Sequence, residues 1–449
     1  MNFFDKFKKD NTMVVYGCAT PRNFDKITKK NLEEDIEKEL REKERKLRLD
    51  SVRVYGVATP DFFKDRRKPL EEPIEVYGTP SSSFYKEKKG YSFGTSPIVD
   101  TVLRRNQLKK KPQLENLFIE ATLNCNEHCK HCGSNCGDLK LENGLTDEEI
   151  IDCLTKLKKD MIELPFITIT GGEPLLRPNL INMMKTIHEL GYEWGMTTNG
   201  TLITSEIAKQ LKEAGLFSVS VSIDGLEETH NWFRESKRGF HYALEGVNNL
   251  VKAGIPHVMI TTVVHKRNIK ELDEIKKEVE ATHCEMWRII NVDPIGRAAN
   301  NKEILLDDED YKYILDYIVE NNSDKLPIIY SCNYFLGFDY ELKVRPWAFF
   351  CEAGLSIAGI QYNGDVGACL DIERSELTKQ GNIREQDLLD IWYNEFKIFR
   401  ENKIEDSEKC QKCKEKHFCN GGGFHTWDFE NKEPKICIFE KINNLTPKN

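Results

Sequence analysis

The chain has 449 residues, which as a soft prior is about three domains, and its 39% hydrophobic and 31% charged residues allow a packed core and exclude wholesale disorder. No stretch approaches the roughly 18 uninterrupted apolar residues of a membrane span, and Met1 to Asp10 has no apolar core of signal-peptide length, so a cytoplasmic protein is expected. Charge is uneven: residues 1–113 carry 26 Lys/Arg against 18 Asp/Glu, a net of +8, and the rest carries −17.

A basic extension with many acids mixed in fits docking on its own body, or solubility, better than nucleic-acid binding. Neither nucleic acid nor a membrane is an expected partner. In the cytoplasm thiols stay reduced, so clusters among the 14 cysteines read as metal ligands.

Residues 1–113 form a low-regularity extension with a recurring peptide. Val15-Tyr16-Gly17-Cys18-Ala19-Thr20-Pro21 returns as Val54-Tyr55-Gly56-Val57-Ala58-Thr59-Pro60 and, shortened, as Val76-Tyr77-Gly78-Thr79-Pro80. Ser92-Phe93-Gly94-Thr95-Ser96-Pro97 is a degenerate copy. The Tyr-to-Tyr spacings, 39 and 22, exclude a solenoid of fixed period. Gly and Pro beside each Tyr favour turns, and Lys29 to Leu49, with Glu and Lys at i,i+4, reads as an exposed helix. Two readings stay open. Each Tyr-Gly turn pins a loose arm to the body, or the copies are tandem peptide substrates, or mimics of one, with Tyr16, Tyr55 and Tyr77 as the candidate substrate residues.

From Leu114 strands and helices alternate. Strands are predicted at 117–122, 166–170, 192–198, 218–223, 258–264 and 286–292. Helices are predicted from the cap signature Thr146-Asp-Glu-Glu149 to about Lys159, and at 179–190, 205–214, 242–253 and 270–280. Six β/α units with buried, β-branched strands imply a parallel sheet with helices outside. Two units are lacking for an eight-fold barrel, so the fold class is α/β, a partial (β/α)6 barrel over residues 114–300. Residues 301–346 then bridge to a cysteine-rich domain, 347–449. Chemistry is expected at the strand C-termini.

The motifs fall there. After the first strand comes Cys125-Asn-Glu-His-Cys129-Lys-His-Cys132. Three thiolates in one loop can hold three irons of a 4Fe–4S cube and leave the fourth open. A zinc site or free thiols are the alternatives, but zinc takes four closed ligands in paired knuckles, unlike this spacing. Gly171-Gly172-Glu173-Pro174 follows strand two, Thr197-Thr198-Asn199-Gly200 strand three, Ser220-Val-Ser222-Ile-Asp224-Gly225 strand four, and Asn291-Val-Asp-Pro-Ile-Gly296-Arg-Ala strand six.

This series resembles the radical S-adenosylmethionine (SAM) superfamily. The resemblance implies that the open iron chelates SAM, and that one electron cleaves it to a 5′-deoxyadenosyl radical that abstracts a substrate hydrogen. It assigns Gly171, Gly172 and Glu173 to the SAM amino group and Thr198 and Asn199 to a SAM-facing polar turn. Ser222 and Asp224 fall to the ribose and carboxylate, Arg234 to the carboxylate, and the Asn291–Ala298 segment to adenine. His131 takes an aromatic position that shields the cluster.

Cys351, Cys369, Cys410, Cys413, Cys419 and Cys437 resemble the SPASM extension, which holds auxiliary 4Fe–4S clusters. The resemblance gives the outer cluster Cys410, Cys413, Cys419 and Cys437, and the inner one Cys351 and Cys369 with Cys332 as a third ligand. Gly423 stands where the pattern expects another Cys. The inner cluster therefore has an open iron, a non-Cys ligand such as His425 or Asp428, or smaller nuclearity, or it is absent. One or two auxiliary clusters are thus expected. Cys136, Cys153 and Cys284 read as ordinary thiols. An acid directly after the second auxiliary Cys marks sulfatase maturases; here Leu370 stands there and Asp371 one further.

The resemblance implies a peptide-modifying enzyme, a maturase of a ribosomally made peptide, served by a low-potential donor such as flavodoxin or ferredoxin. The Val-Tyr-Gly copies make its own arm a candidate substrate, by cross-link or tyramine excision. The alternatives are small-molecule cofactor biosynthesis, or a separate peptide substrate with the arm as guide.

Overall fold

The computed structural model describes residues 97–137, 143–331 and 334–445. Tyr16, Tyr55, Tyr77 and Cys332 lie outside the described residues. In chain order the main elements are α1 (Pro97–Lys110), β1 (Asn116–Glu120), α2 (Asp147–Asp160), β2 (Phe166–Thr170), α3 (Leu180–Glu189), β3 (Trp194–Thr198), α4 (Ser205–Glu213) and β4 (Leu216–Ser222). There follow α5 (Glu227–Arg234), α6 (Gly239–Ala253), β5 (His257–Val264), α7 (Leu272–Ala281), β6 (Met286–Asn291), α8 (Asp308–Asn321) and β7 (Ile328–Tyr330). Three short strands, β8 (Ile357–Ile360), β9 (Asp365–Gly367) and β10 (Gly381–Asn382), belong to the C-terminal part.

The six predicted strands pair in parallel and in order, β1 to β6. Each is buried along most of its length, as expected of strands covered on both faces. The predicted cap is present: Thr146 accepts from the Glu149 N–H, and Glu149 reaches back to the Thr146 N–H. Two buried aromatics of the barrel have their polar atoms satisfied, Tyr192 donating to the Leu154 carbonyl at 2.7 Å and Trp194 to that of Ala214 at 3.0 Å.

The sheet is larger than the sequence pattern predicts. It has ten strands in the order β10-β9-β8-β1-β2-β3-β4-β5-β6-β7. After α8, β7 adds a parallel neighbour to β6, and β8 pairs in parallel with β1 from the other side. Only β8–β9 and β9–β10 are antiparallel. The barrel stays open because β7 and β10 are the edges. The cysteine-rich part is thus an extension of the barrel sheet. Arg384 holds Glu149 of α2 with Nε at 2.5 Å and Nη2 at 2.9 Å, and Arg374 pairs with buried Glu120 at the end of β1.

Helix α1 packs on the C-terminal part. Ile98, Val102 and Leu103 join Phe335, Ala348, Phe349 and Phe418 in one apolar cluster. Arg104 pairs with Glu115 at 2.9 Å. Among the described residues no helix is long and apolar enough to cross a membrane.

Candidate active site

The loop after β1 is closed into a ring. The Cys125 N–H donates to the Gly137 carbonyl at 3.0 Å, and the Gly137 N–H returns to Leu123 at 3.2 Å. Cys125, Cys129 and Cys132 lie within this ring at the C-terminal end of β1, where the sheet leaves its parallel strand ends. N–H donors already point at two of the three sulfurs. The Asn199 amide lies 3.9 Å from Cys125 Sγ, and the Cys136 N–H lies 3.3 Å from Cys132 Sγ. A hydrogen bond from the Cys136 thiol pulls Cys132 down to about 6, and burial pushes Cys125 up to about 11. These thiols, with donors aimed at their sulfurs, fit an iron–sulfur cluster.

Neighbouring strand ends hold the ring. The two glycines after β2 are there for closeness to the loop backbone. A Cβ on Gly171, at φ +142°, would lie 2.2 Å from the Thr122 oxygen, and one on Gly172 would lie 2.1 Å from that of Asn124. Glu173 is turned inward. It is fully buried and accepts from Thr198 Oγ1, the Asn199 N–H and the Leu175 N–H at 2.9, 2.9 and 3.2 Å. Burial raises its carboxyl to about 7 against those bonds.

Arg234, at the end of α5, donates from Nε to Asp224 at 2.7 Å and from Nη1 to Glu127 at 2.9 Å, all three side chains being buried. Burial pushes Asp224 up, but the Arg234 guanidinium, His131, His230 and the Val263 N–H together outweigh it and hold the carboxyl below its ordinary range. Burial wins at Glu127, whose carboxyl is raised despite Arg234. Asp224 also accepts the Val263 N–H at 2.7 Å. Ser222 ends β4 half-buried. The ring of His131 stacks on Phe233 at 4.3 Å, and Phe233 stacks on His265 at 3.9 Å. Burial lowers His131 to about 3, so it is neutral.

The segment after β6 also clamps the cysteine loop, a contact that motif order did not foretell. Arg297 donates from Nε to the Cys129 carbonyl at 2.7 Å, and from Nη1 to the Cys136 carbonyl at 2.8 Å and Asn135 Oδ1 at 3.0 Å. Cys136, expected to be an ordinary thiol, is part of this assembly. Its spacing of four residues after Cys132 was the available signal. Cys284 fits the plain expectation, with its sulfur on the Met286 carbonyl at 3.6 Å.

In the C-terminal part, Cys410, Cys413 and Cys437 come close enough to act on the charge of Cys419, and Cys351 on that of Cys369. The Phe424 N–H donates to Cys351 Sγ at 3.5 Å, so position 423, glycine here, sits beside the inner pair. The two alternative ligands separate. Asp428 spends its carboxylate on the N–H groups of Glu430 and Asn431 at 3.0 and 2.9 Å and on the Asn431 amide at 2.9 Å. His425 faces the barrel, with Nε2 3.1 Å from Asp293 after β6, and Asp293 also accepts from Asn291 and Tyr334 at 2.7 and 2.5 Å. Asp371 lies near the same groups, 4.0 Å from Cys369 Sγ.

An open parallel α/β barrel with a three-thiol loop at its strand ends, joined to a second thiol-rich part, defines an iron–sulfur enzyme. The family model for the radical SAM superfamily matches residues 119–279, and that for the SPASM iron–sulfur cluster-binding domain matches residues 351–414. The chain is 31% identical to the AdoMet-dependent heme synthase of Methanosarcina barkeri over 347 residues, 71% of this chain and 95% of that one. It is 26% identical to the mycofactocin maturase MftC of Mycolicibacterium smegmatis, over 68% and 77% of the two chains. Streptococcus suis SuiB bound to S-adenosylmethionine shares the fold, with a TM-score of 0.59 at 18% identity over 79% and 84% of the two chains. The chain belongs to the radical SAM superfamily and carries a SPASM domain, so its cofactors are SAM and iron–sulfur clusters.

Proposed function

We propose that this enzyme modifies a peptide, and that the Val-Tyr-Gly copies of its own N-terminal arm are that peptide or its mimic. In this reading Cys125, Cys129 and Cys132 hold the catalytic cluster. Gly171, Gly172, Glu173, Thr198, Asn199, Ser222, Asp224 and Arg234 form the SAM side. Cys332, Cys351, Cys369, Cys410, Cys413, Cys419 and Cys437 serve the auxiliary clusters. When bound, these groups supply a 5′-deoxyadenosyl radical that abstracts a substrate hydrogen, and auxiliary centres that take up an electron. The chain's own part is to position and to keep dry. Glu173 orients Asn199 toward the cluster loop, Arg234 fixes the carboxylates of Asp224 and Glu127, and the His131–Phe233–His265 stack closes that wall to water. An external low-potential donor, a flavodoxin or ferredoxin, supplies the starting electron.

The observation that carries the peptide reading is the repeat itself: near-identical heptapeptides at irregular spacing on a segment that leads into α1, which is docked on the SPASM side. The match to the heme synthase uses 95% of that protein but only 71% of this chain, so more than a quarter here has no counterpart there. Fusion raises the effective substrate concentration to roughly millimolar for a linker that spans the gap. The test is anaerobic. The reconstituted chain is given SAM and a reductant, digested, and its arm peptides weighed against a Cys129→Ala control. A cluster-dependent mass change at Tyr16, Tyr55 or Tyr77 is expected, and its size separates tyramine loss from a two-hydrogen cross-link.

The second reading, small-molecule cofactor biosynthesis, draws on the 31% identity to the heme synthase. It requires 5′-deoxyadenosine release that depends on an added tetrapyrrole, with the arm unchanged in mass.

A further inference from the structure

Three cations, two from α1 and one far along the chain, converge on the segment His417–Gly422. Arg105, on α1, donates from Nη1 to the Phe418 carbonyl at 2.8 Å and from Nη2 to that of His417 at 2.5 Å. Lys109, one turn on, reaches Asn420 Oδ1 at 3.5 Å. Lys403 donates to the Gly422 carbonyl at 2.5 Å and lies over the rings of Phe424 and Trp427, 4.1 and 4.7 Å from their centres. Arg105 and Lys403 are 5% and 6% exposed. Among the described residues neither makes an ion pair with a carboxylate.

Buried charges without a counter-charge are unstable, and like charges gathered together are worse. The groups beside these two cations that can carry the missing negative charge are thiols. Burial lowers Arg105 to about 10 and Lys403 to about 8, and thiols oppose it, Cys419 at Arg105 and Cys351, Cys419 and Cys410 at Lys403. Lys403 sits between the inner and outer cysteine sets: it lies over the ring of Phe424, whose N–H donates to Cys351 Sγ at 3.5 Å, and it bonds the carbonyl of Gly422, whose N–H donates to the Cys419 carbonyl at 3.2 Å. Its carbonyl partner, Gly422, immediately precedes the glycine that stands where the family pattern has a thiolate.

We infer that Arg105 and Lys403 form a cationic wall for the auxiliary iron–sulfur centres, with Lys403 shared between the two, and that they raise the reduction potentials of those centres. A fixed positive charge favours the more negative, reduced state of a thiolate-ligated cluster, and nearby charge and hydrogen bonding are what tune such centres. Both are positioning residues that act through the cluster. The inference also ties the arm's anchor helix to the chemistry, because Arg105 belongs to α1. It holds whichever substrate the enzyme takes.

The test uses the full chain with Cys125→Ala, Cys129→Ala and Cys132→Ala, reconstituted anaerobically with iron and sulfide, so that only auxiliary centres contribute. Iron and sulfide per chain and the midpoint potentials from a titration followed by electron paramagnetic resonance are the readouts. Lys403→Met is expected to move the midpoints to more negative values, Lys403→Arg to stay near the parent, and Arg105→Met to shift the outer centre. If Lys403→Met loses iron instead, retention of iron by Lys403→Arg supports the charge role. Unchanged midpoints and iron in Lys403→Met, or identical behaviour of the Met and Arg variants, overturns the inference.

Discussion

The Glu173 carboxylate accepts the Asn199 N–H at 2.9 Å, and Asn199 in turn points its amide at the Cys125 sulfur, 3.9 Å away. A carboxylate after β2 thus sets the turn after β3 against the cysteine loop after β1. Glu173→Gln replaces one acceptor oxygen with a donor that faces Thr198 Oγ1 and one backbone N–H, that of Leu175 or Asn199. Leaving a buried donor unsatisfied costs about 1–3 kcal/mol. The variant is expected to retain its iron but to bind SAM about tenfold more weakly, read by equilibrium binding. Unchanged SAM affinity would show that Glu173 has no such positioning role.

The same carboxyl gives a pH dependence with a definite sign. Its value is 4.5 ordinarily and about 7 when buried in the fold. Between these the folded state binds the extra proton, so this group's contribution to stability is full below about 4.5 and is lost as pH rises through about 7. The loss is about 3 kcal/mol at most. The thermal midpoint of the parent minus that of Glu173→Gln should fall across this window and level off above it. A difference that rises, or that is flat throughout, contradicts the assignment.

Arg297 makes four hydrogen bonds to the cysteine loop from one guanidinium, the fourth to His128 Nε2 at 3.4 Å, and neighbouring Gly296 lets the segment approach. At φ +52°, a Cβ on Gly296 would lie 2.3 Å from the Cys132 oxygen. Lysine cannot reproduce that fork. Arg297→Lys is therefore expected to assemble the catalytic cluster but lose it several-fold faster in air, followed by its visible absorbance, while the iron held by the SPASM cysteines is unchanged. Equal decay in parent and variant would remove the clamp from the account.

The six central strands were legible because they are long, β-branched and separated by amphipathic helices, and because Thr146 and Glu149 mark a helix start. By contrast β7 to β10 have only two to four residues each, too few for any period to register. The cysteine spacings were legible as chemistry. What surrounds them was not, since Arg297 reaches Cys129 across 168 positions and Arg105 reaches Phe418 across 313. The resemblance assigns the paired glycines at 171 and 172 to the SAM amino group, and in the fold their missing side chains make room for the cysteine-loop backbone. Only folding shows which neighbour a glycine admits.

The place where the arm ends decides how it is tested. Residues 1–113 read as one extension, but 97–110 form α1, and its Ile98, Val102, Leu103 and Leu108 are buried. Burying such a side chain contributes about 1.5–3 kcal/mol each, so four together approach the whole stability of a typical domain, about 5–15 kcal/mol. Arg104 and Arg105 add contacts to Glu115 and to the carbonyls before Cys419. Removal of residues 1–110 is therefore expected to lower the thermal midpoint and the auxiliary iron together. Removal of residues 1–96 should leave both unchanged and keep SAM cleavage, while abolishing any modification of Tyr16, Tyr55 and Tyr77. Thermal unfolding and iron analysis of the two truncations side by side make the comparison. If both truncations keep their iron and their midpoint, α1 does not anchor the arm, and the cationic wall loses Arg105. If the shorter truncation turns over a separately supplied Val-Tyr-Gly peptide, the arm is a substrate tethered for convenience of encounter, and the active site reads the heptapeptide itself.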